Sequence, residues 1–159
     1  MGGADDAYLY NQGQNFLIET GTAAKSLVII TGGSLQSTNE RMRIDGSSNV
    51  GIETNNPTST LSVTGSQSVS YRNGSGAYTV LNTDYVIINT GGSIPTWTLP
   101  LASSYPGRVY RLINQGKPSI TLSQAVTTAN GTTSTSLVNN AGSNTYKIVS
   151  DGSLWNKMN

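Results

Sequence analysis

The chain has no cysteine and no histidine. Without cysteine, no disulfide can add stability. Without histidine, the usual general base and the commonest metal ligand are missing. Charge is scarce as well: 11% of residues are charged, against roughly 25% in ordinary soluble proteins. The net charge of +1 leaves no electrostatic footprint for nucleic acid. Lysine and arginine are scattered, apart from the pairs Arg41/Arg43 and Arg108/Arg111. No apolar stretch approaches the roughly 20 residues needed to cross a bilayer, so no membrane insertion is expected. Hydrophobic residues reach only 35%. One copy of such a chain has little apolar surface to bury, and association of copies is the usual remedy.

Glycine, serine, threonine and asparagine supply nearly half of the 159 residues. Between them lie short runs of valine, isoleucine, leucine and tyrosine, spaced as in strands. Part of the pattern occurs twice. Asn15-Phe16-Leu17-Ile18-Glu19-Thr20 matches Asn49-Val50-Gly51-Ile52-Glu53-Thr54 at an offset of 34 residues, and Ser26–Ile29 matches Thr60–Val63 at the same offset. A repeat of this length is one supersecondary unit stacked on the next. Its short apolar runs, broken by turn residues, predict an extended, repetitive β-stalk over residues 1–65.

The second copy predicts strands over Arg41–Asp45, Val50–Glu53 and Leu61–Thr64, and the first predicts them over Tyr8–Tyr10, Phe16–Thr20 and Leu27–Thr31. Residues 65–76 read as a polar passage with a turn at Asn73-Gly74. From Tyr78 the runs become longer: Tyr78–Leu81, Tyr85–Ile88, Thr96–Leu99, Arg108–Ile113, Ser119–Leu122, Thr135–Val138, Thr145–Val149 and Ser153–Met158. Asn130-Gly131 and Asp151-Gly152 are among the turns separating them. About eight short strands so punctuated predict a β-sandwich-like or jelly-roll-like head over residues 66–159. Pro100–Tyr105 has room for one helical turn. The fold class expected is therefore all-β.

Glu40-Arg41-Met42-Arg43-Ile44-Asp45-Gly46-Ser47-Ser48-Asn49-Val50-Gly51-Ile52, continued by Asn56-Pro57 and Leu61-Ser62-Val63, resembles an element of bacteriophage tail fibres and related virion appendages. Glu53 stands where that family commonly has glycine. Trp97-Thr98-Leu99-Pro100, Pro106-Gly107-Arg108 and Ser150-Asp151-Gly152-Ser153-Leu154-Trp155 resemble the distal β-domain of similar fibres. The resemblance implies a homotrimer on a virion, joined to upstream fibre or virion proteins and contacting a bacterial surface glycan or protein. Two other readings remain open: a virion spacer or decoration protein without a receptor site, and a bacterial extracellular adhesin.

Catalysis finds little support in the residues. The equivalent acids Glu19 and Glu53 could act as a glycosidase pair only at about 5–10 Å, and their repeat equivalence favours a structural role. Asp45 and Asp151 precede glycine and could ligate Ca²⁺, but they are far sparser than an EF-hand loop, so turn formation is the expected role and no metal or cofactor is expected. The chain is read as a binding protein, not an enzyme. The candidate receptor contacts are Tyr105, Arg108, Trp155 and Lys157, because aromatic faces stack on sugars and cationic side chains donate to hydroxyls. Trp97, sharing a strand face with Leu99, is read as core, and for Trp155, just after a turn and near Lys157, core or subunit interface is favoured over ligand contact.

Overall fold

A computed structural model describes residues 18, 20–22, 24–91, 93–115, 119–128, 130–138 and 145–158. The described residues are all-β, with 46% in strands and 5% in helix, and the chain divides into two compact units, residues 1–67 and 68–159. The first repeat's predicted strands over 8–10 and 16–20 lie largely outside the described residues, as does Glu19.

The first unit contains a four-stranded sheet in the order β1 (Leu27–Ile30), β2 (Glu40–Ile44), β3 (Val50–Ile52), β4 (Leu61–Val63). Each strand matches an apolar run expected from the sequence. A single helical turn, Gln36–Asn39, precedes β2. β1 closes the first repeat and pairs antiparallel with β2, which opens the second, so the sheet runs on from one repeat to the next. β2 pairs antiparallel with β3, and β3 parallel with β4.

In-register partners share a face, and alternate residues along a strand lie on opposite faces. Leu27, Ile44, Val50 and Leu61 form one cross-strand row, and Ile29, Met42, Ile52 and Val63 the next row on the same face. That face is wholly apolar. The intervening row on the other face is Val28, Arg43, Gly51 and Ser62. Gly51 is buried because the Arg43 side chain and the Thr54 carbonyl lie against it; a Cβ there would stand 2.5 Å from that carbonyl oxygen. Arg43 donates to both oxygens of Glu40, at 2.5 and 2.7 Å.

Glu53 adopts φ +54°, in the left-handed region that costs a side-chain-bearing residue about 1–2 kcal/mol. Glycine, lacking a Cβ, would take this conformation without that cost. The carboxylate of Glu53 pairs with Arg41 at 3.2 Å, a half-exposed contact worth about 0–1 kcal/mol. Relief of strain should therefore outweigh loss of the pair. Glu53→Gly should stabilise the protein by about 0.5–1 kcal/mol, read as a raised thermal midpoint; a lowered midpoint would show that the ion pair dominates.

The second unit is a single nine-stranded, nearly closed, barrel-like sheet. Its path runs β5 (Tyr71–Gly74), β7 (Val86–Asn89), β9 (Val109–Asn114), β12 (Thr145–Ser150), β13 (Trp155–Met158), β10 (Ser119–Thr127), β8 (Thr96–Thr98), β6 (Tyr78–Thr79), with β11 (Thr133–Val138) paired to β10. A sandwich or jelly roll needs two packed sheets, whereas here the strands join in one. The reason lies in pairing: β5–β7, β7–β9, β6–β8, β8–β10 and β10–β13 are all parallel. The two ends of the path, β5 and β6, are consecutive in the chain and joined by residues 75–77, which draws the sheet round on itself.

Asn73-Gly74 is accordingly not a turn but the end of β5, in register with Ile88 and Asn89. The chain does not reverse there; it crosses to β6. Gly91, buried, packs so close that a Cβ would lie 2.5 Å from the Ser75 carbonyl oxygen. Asn130-Gly131 does form the β10–β11 turn, with Gly131 at φ +78°. The helical turn expected in Pro100–Tyr105 is a 3-10 turn over Ala102–Ser104.

The buried hydrophobic core among the described residues lies wholly in this second unit. It includes Val80, Ile87, Trp97, Leu99, Tyr110, Leu112, Ile120, Leu122, Ile148 and Trp155. The alternation in β9 shows how the sequence dictates this: Tyr110 and Leu112 are buried, while Arg111 between them is exposed. β10 serves two partners in turn, β8 at Thr121–Leu122 and β13 at Val126–Thr127. Across the interval the Gln124 amide donates to the carbonyls of Leu99 and Pro100, both at 2.8 Å. A side chain thus supplies hydrogen bonds where the ladder is interrupted. Asn89 and Asn114, both fully buried, pair side chain to side chain at 3.0 Å across β7 and β9.

Candidate functional site

The four sequence-predicted contacts have different placements. Tyr105 and Arg108 come together. The 3-10 turn ends at Tyr105, Gly107 takes φ +77°, and Arg108 N donates to Tyr105 O at 3.1 Å. This folds the Arg108 guanidinium over the Tyr105 ring, 5.8 Å from its centroid. Both are half-buried. Arg108 also borders an open depression of about 400 Å³ with Tyr85, Pro106, Gly107 and Val109. Lys157 on β13 is engaged elsewhere, its ammonium 5.1 Å from the Tyr146 ring centroid.

Trp155 leaves the set of surface contacts. It is 1% exposed, donates its indole N–H to the Pro100 carbonyl at 2.9 Å and packs against the Tyr110 ring at 5.2 Å. Core or subunit interface is the role the sequence favours for it over ligand contact, and pairing with both Ser150 and Val126 carries it into the core. Trp97, 1% exposed, is core as its alternation with Leu99 predicts.

The carboxylates are committed to local structure. Asp45 Oδ1 accepts from the backbone N–H groups of Ser47 and Asn49, at 2.8 and 2.9 Å. Asp151 Oδ1 accepts from those of Ser153 and Leu154, both at 2.8 Å, while Oδ2 accepts from the Asn156 amide at 2.7 Å. These donors hold both carboxyls below the ordinary aspartate range, as expected of turn-forming aspartates. Glu40 and Glu53 line one open polar depression of about 390 Å³ with Gln36, Thr38 and Thr64. Each faces an arginine, and the Arg43 hydrogen bonds hold the Glu40 carboxyl below its ordinary value. A general acid needs the opposite shift. Among the described residues no three acidic side chains gather as metal ligands.

A cluster that sequence reasoning missed joins Arg72, Tyr78 and Asp84. The Arg72 guanidinium lies 4.4 Å from the Tyr78 ring centroid. The Tyr78 hydroxyl donates to Asp84 Oδ2 at 2.7 Å, and Leu81 N donates to the same oxygen at 2.8 Å. Burial, aided by the Asp84 carboxylate, pushes the Tyr78 phenol up to about 12. Since the folded value is raised, this contribution to stability is complete below about pH 10 and is lost as pH climbs towards 12. An ultraviolet titration should show a phenol ionising near pH 12 that disappears in Tyr78→Phe. If the variant and the parent titrate alike, the cluster does not hold the phenol.

The chain matches no family model, no curated protein and no solved structure.

Proposed function

We propose that the chain is the distal, structural and receptor-binding part of a phage fibre, assembled as a homotrimer. Residues 1–65 form the repetitive stalk, and residues 66–159 the head that attaches to a bacterial surface glycan or protein without turnover. The observation that carries this reading is the apolar face of the first unit. Eight in-register side chains on it are all apolar, and none is buried: Leu61 is 59% exposed, Ile29 46% and Val63 44%. A sheet with one apolar face must bury it against another layer. A face whose eight in-register side chains offer no polar group to select a foreign partner suits copies of itself. The number three and the virion setting come from the resemblance to tail fibres, and the open depression that Arg108 borders with Tyr85 is a place where a ligand could reach the guanidinium. Light scattering on the purified chain should give a trimer mass, and labelled trimer should stain host cells. A monomer mass at micromolar concentration defeats the fibre assembly. A trimer that stains no cells leaves a spacer or decoration role.

A further inference from the structure

Charge is divided unevenly between the two units. Residues 68–159 carry Arg72, Arg108, Arg111, Lys117, Lys147 and Lys157 against only Asp84 and Asp151, a net charge of +4, whereas residues 1–67 carry −3. Among the described residues, neither acid of the second unit neutralises a cation by an ion pair. Asp84 is taken by Tyr78 and Leu81, Asp151 by its own turn. Among the described residues, both ion pairs lie in the first unit. Arg72, Arg108 and Lys157 each sit over a tyrosine ring. Arg111 and Lys147 have neither a ring nor a carboxylate against them among the described residues.

These two are direct cross-strand partners on β9 and β12. Both are exposed, and their neighbours Tyr110, Leu112 and Ile148 point into the core. Like charges directly opposite on a sheet repel and destabilise it, so a bound anion would relieve a cost the fold otherwise carries. The row continues through both neighbours: Tyr71, Val86, Arg111, Lys147 and Met158 are in register across five strands. Tyr71 at its end is 72% exposed. Strands lie about 4.8 Å apart, so the ring and the two cations span about 14 Å, enough for successive sugar units.

We infer that the outer row Tyr71–Val86–Arg111–Lys147 is a binding site for an anionic saccharide, one carrying carboxylate or phosphate groups. The inference rests on residues 66–159 being the binding head of the proposed fibre. Arg111 presents a planar fork suited to a carboxylate or phosphate, Lys147 a compact charge beside it, and Tyr71 an aromatic face for the C–H side of a sugar ring. Nucleic acid is disfavoured because two adjacent cations fall short of the 6–10 phosphate contacts typical of its binders.

The test uses the full chain with polygalacturonate, a glycerol-phosphate teichoic acid, neutral dextran and single-stranded DNA. One or both acidic polymers should bind, and which of them does identifies carboxylate or phosphate as the partner. Dextran should not bind. Binding should weaken roughly tenfold between 50 and 200 mM salt, as release of about two counterions requires. Arg111→Gln with Lys147→Gln should lower affinity at least about fivefold and flatten the salt dependence, with the oligomer mass unchanged and the thermal midpoint equal or higher. Tyr71→Ala should weaken binding without changing its salt dependence. Unchanged binding by the double variant, no binding of either acidic polymer, or tighter binding of DNA would each overturn the site. A change of oligomer mass in the double variant would reassign the pair to contact between copies. Loss of the site with trimer mass and cell staining intact would leave the fibre reading standing.

Discussion

Leu61→Asp combined with Val63→Asp should reduce the assembled protein to monomers. In the single chain both positions are exposed, Leu61 at 59% and Val63 at 44%, on the edge strand of the four-stranded sheet. A carboxylate there reaches water, so one chain should tolerate the change. In an assembly that covers the apolar face, the same carboxylates would lose their water without gaining a partner, because every in-register neighbour on that face is apolar. Desolvating a polar or charged group without compensation costs several kcal/mol, and each 1.4 kcal/mol is tenfold in association. The association constant should fall by at least about a thousandfold, with mass measured by light scattering and strand content by far-UV circular dichroism. Val28→Asp introduces a carboxylate on the opposite face and should leave the mass unchanged. Equal dissociation by both variants would show that the apolar face is not the surface that associates.

That face was readable in the sequence only in part. The strands themselves were legible: β2, β3 and β4 fall where Met42 and Ile44, Val50 and Ile52, and Leu61 and Val63 alternate with polar or small residues, and Asn-Gly-Ser turns bound them. Which rows align across four strands depends on register, which the alternation does not specify. The same limit explains the second unit. Its strands were anticipated almost one for one, but local punctuation carries no information about parallel pairing between distant segments, and five such pairings turn an expected two-sheet sandwich into one curled sheet. Asn73-Gly74 has the composition of a hairpin turn, yet its strand pairs in parallel with β7, so tertiary pairing overrode the local signal. The positive φ of Glu53 has no signal in its own residue type, since glycine is the residue that ordinarily adopts it. The Arg111–Lys147 juxtaposition had no linear signal, since 36 residues separate two cations that only the β9–β12 ladder brings face to face.

Trp155→Ala should remove much of the stability of the second unit, and in doing so decide whether this residue is core or contact. The indole lies where three strands meet: Trp155 is in register with Ser150 on β12 and Val126 on β10. Its ring packs on Tyr110, itself fully buried, and its N–H donates to Pro100. Truncating a buried tryptophan costs about 3–5 kcal/mol, while a unit of this size has a total stability of about 5–15 kcal/mol. The Pro100 carbonyl keeps a second donor in Gln124, so lost packing and the cavity dominate the loss over the broken hydrogen bond. With a urea slope of about 1–3 kcal/mol per molar, the unfolding midpoint should fall by roughly 2 M. Trp97, the only other tryptophan and equally buried, remains as the fluorescent reporter. Trp155→Phe retains a ring against Tyr110 and should recover more than half of the loss. A surface contact would give the opposite result: an unchanged midpoint in Trp155→Ala together with lost cell staining would return this residue to the receptor site.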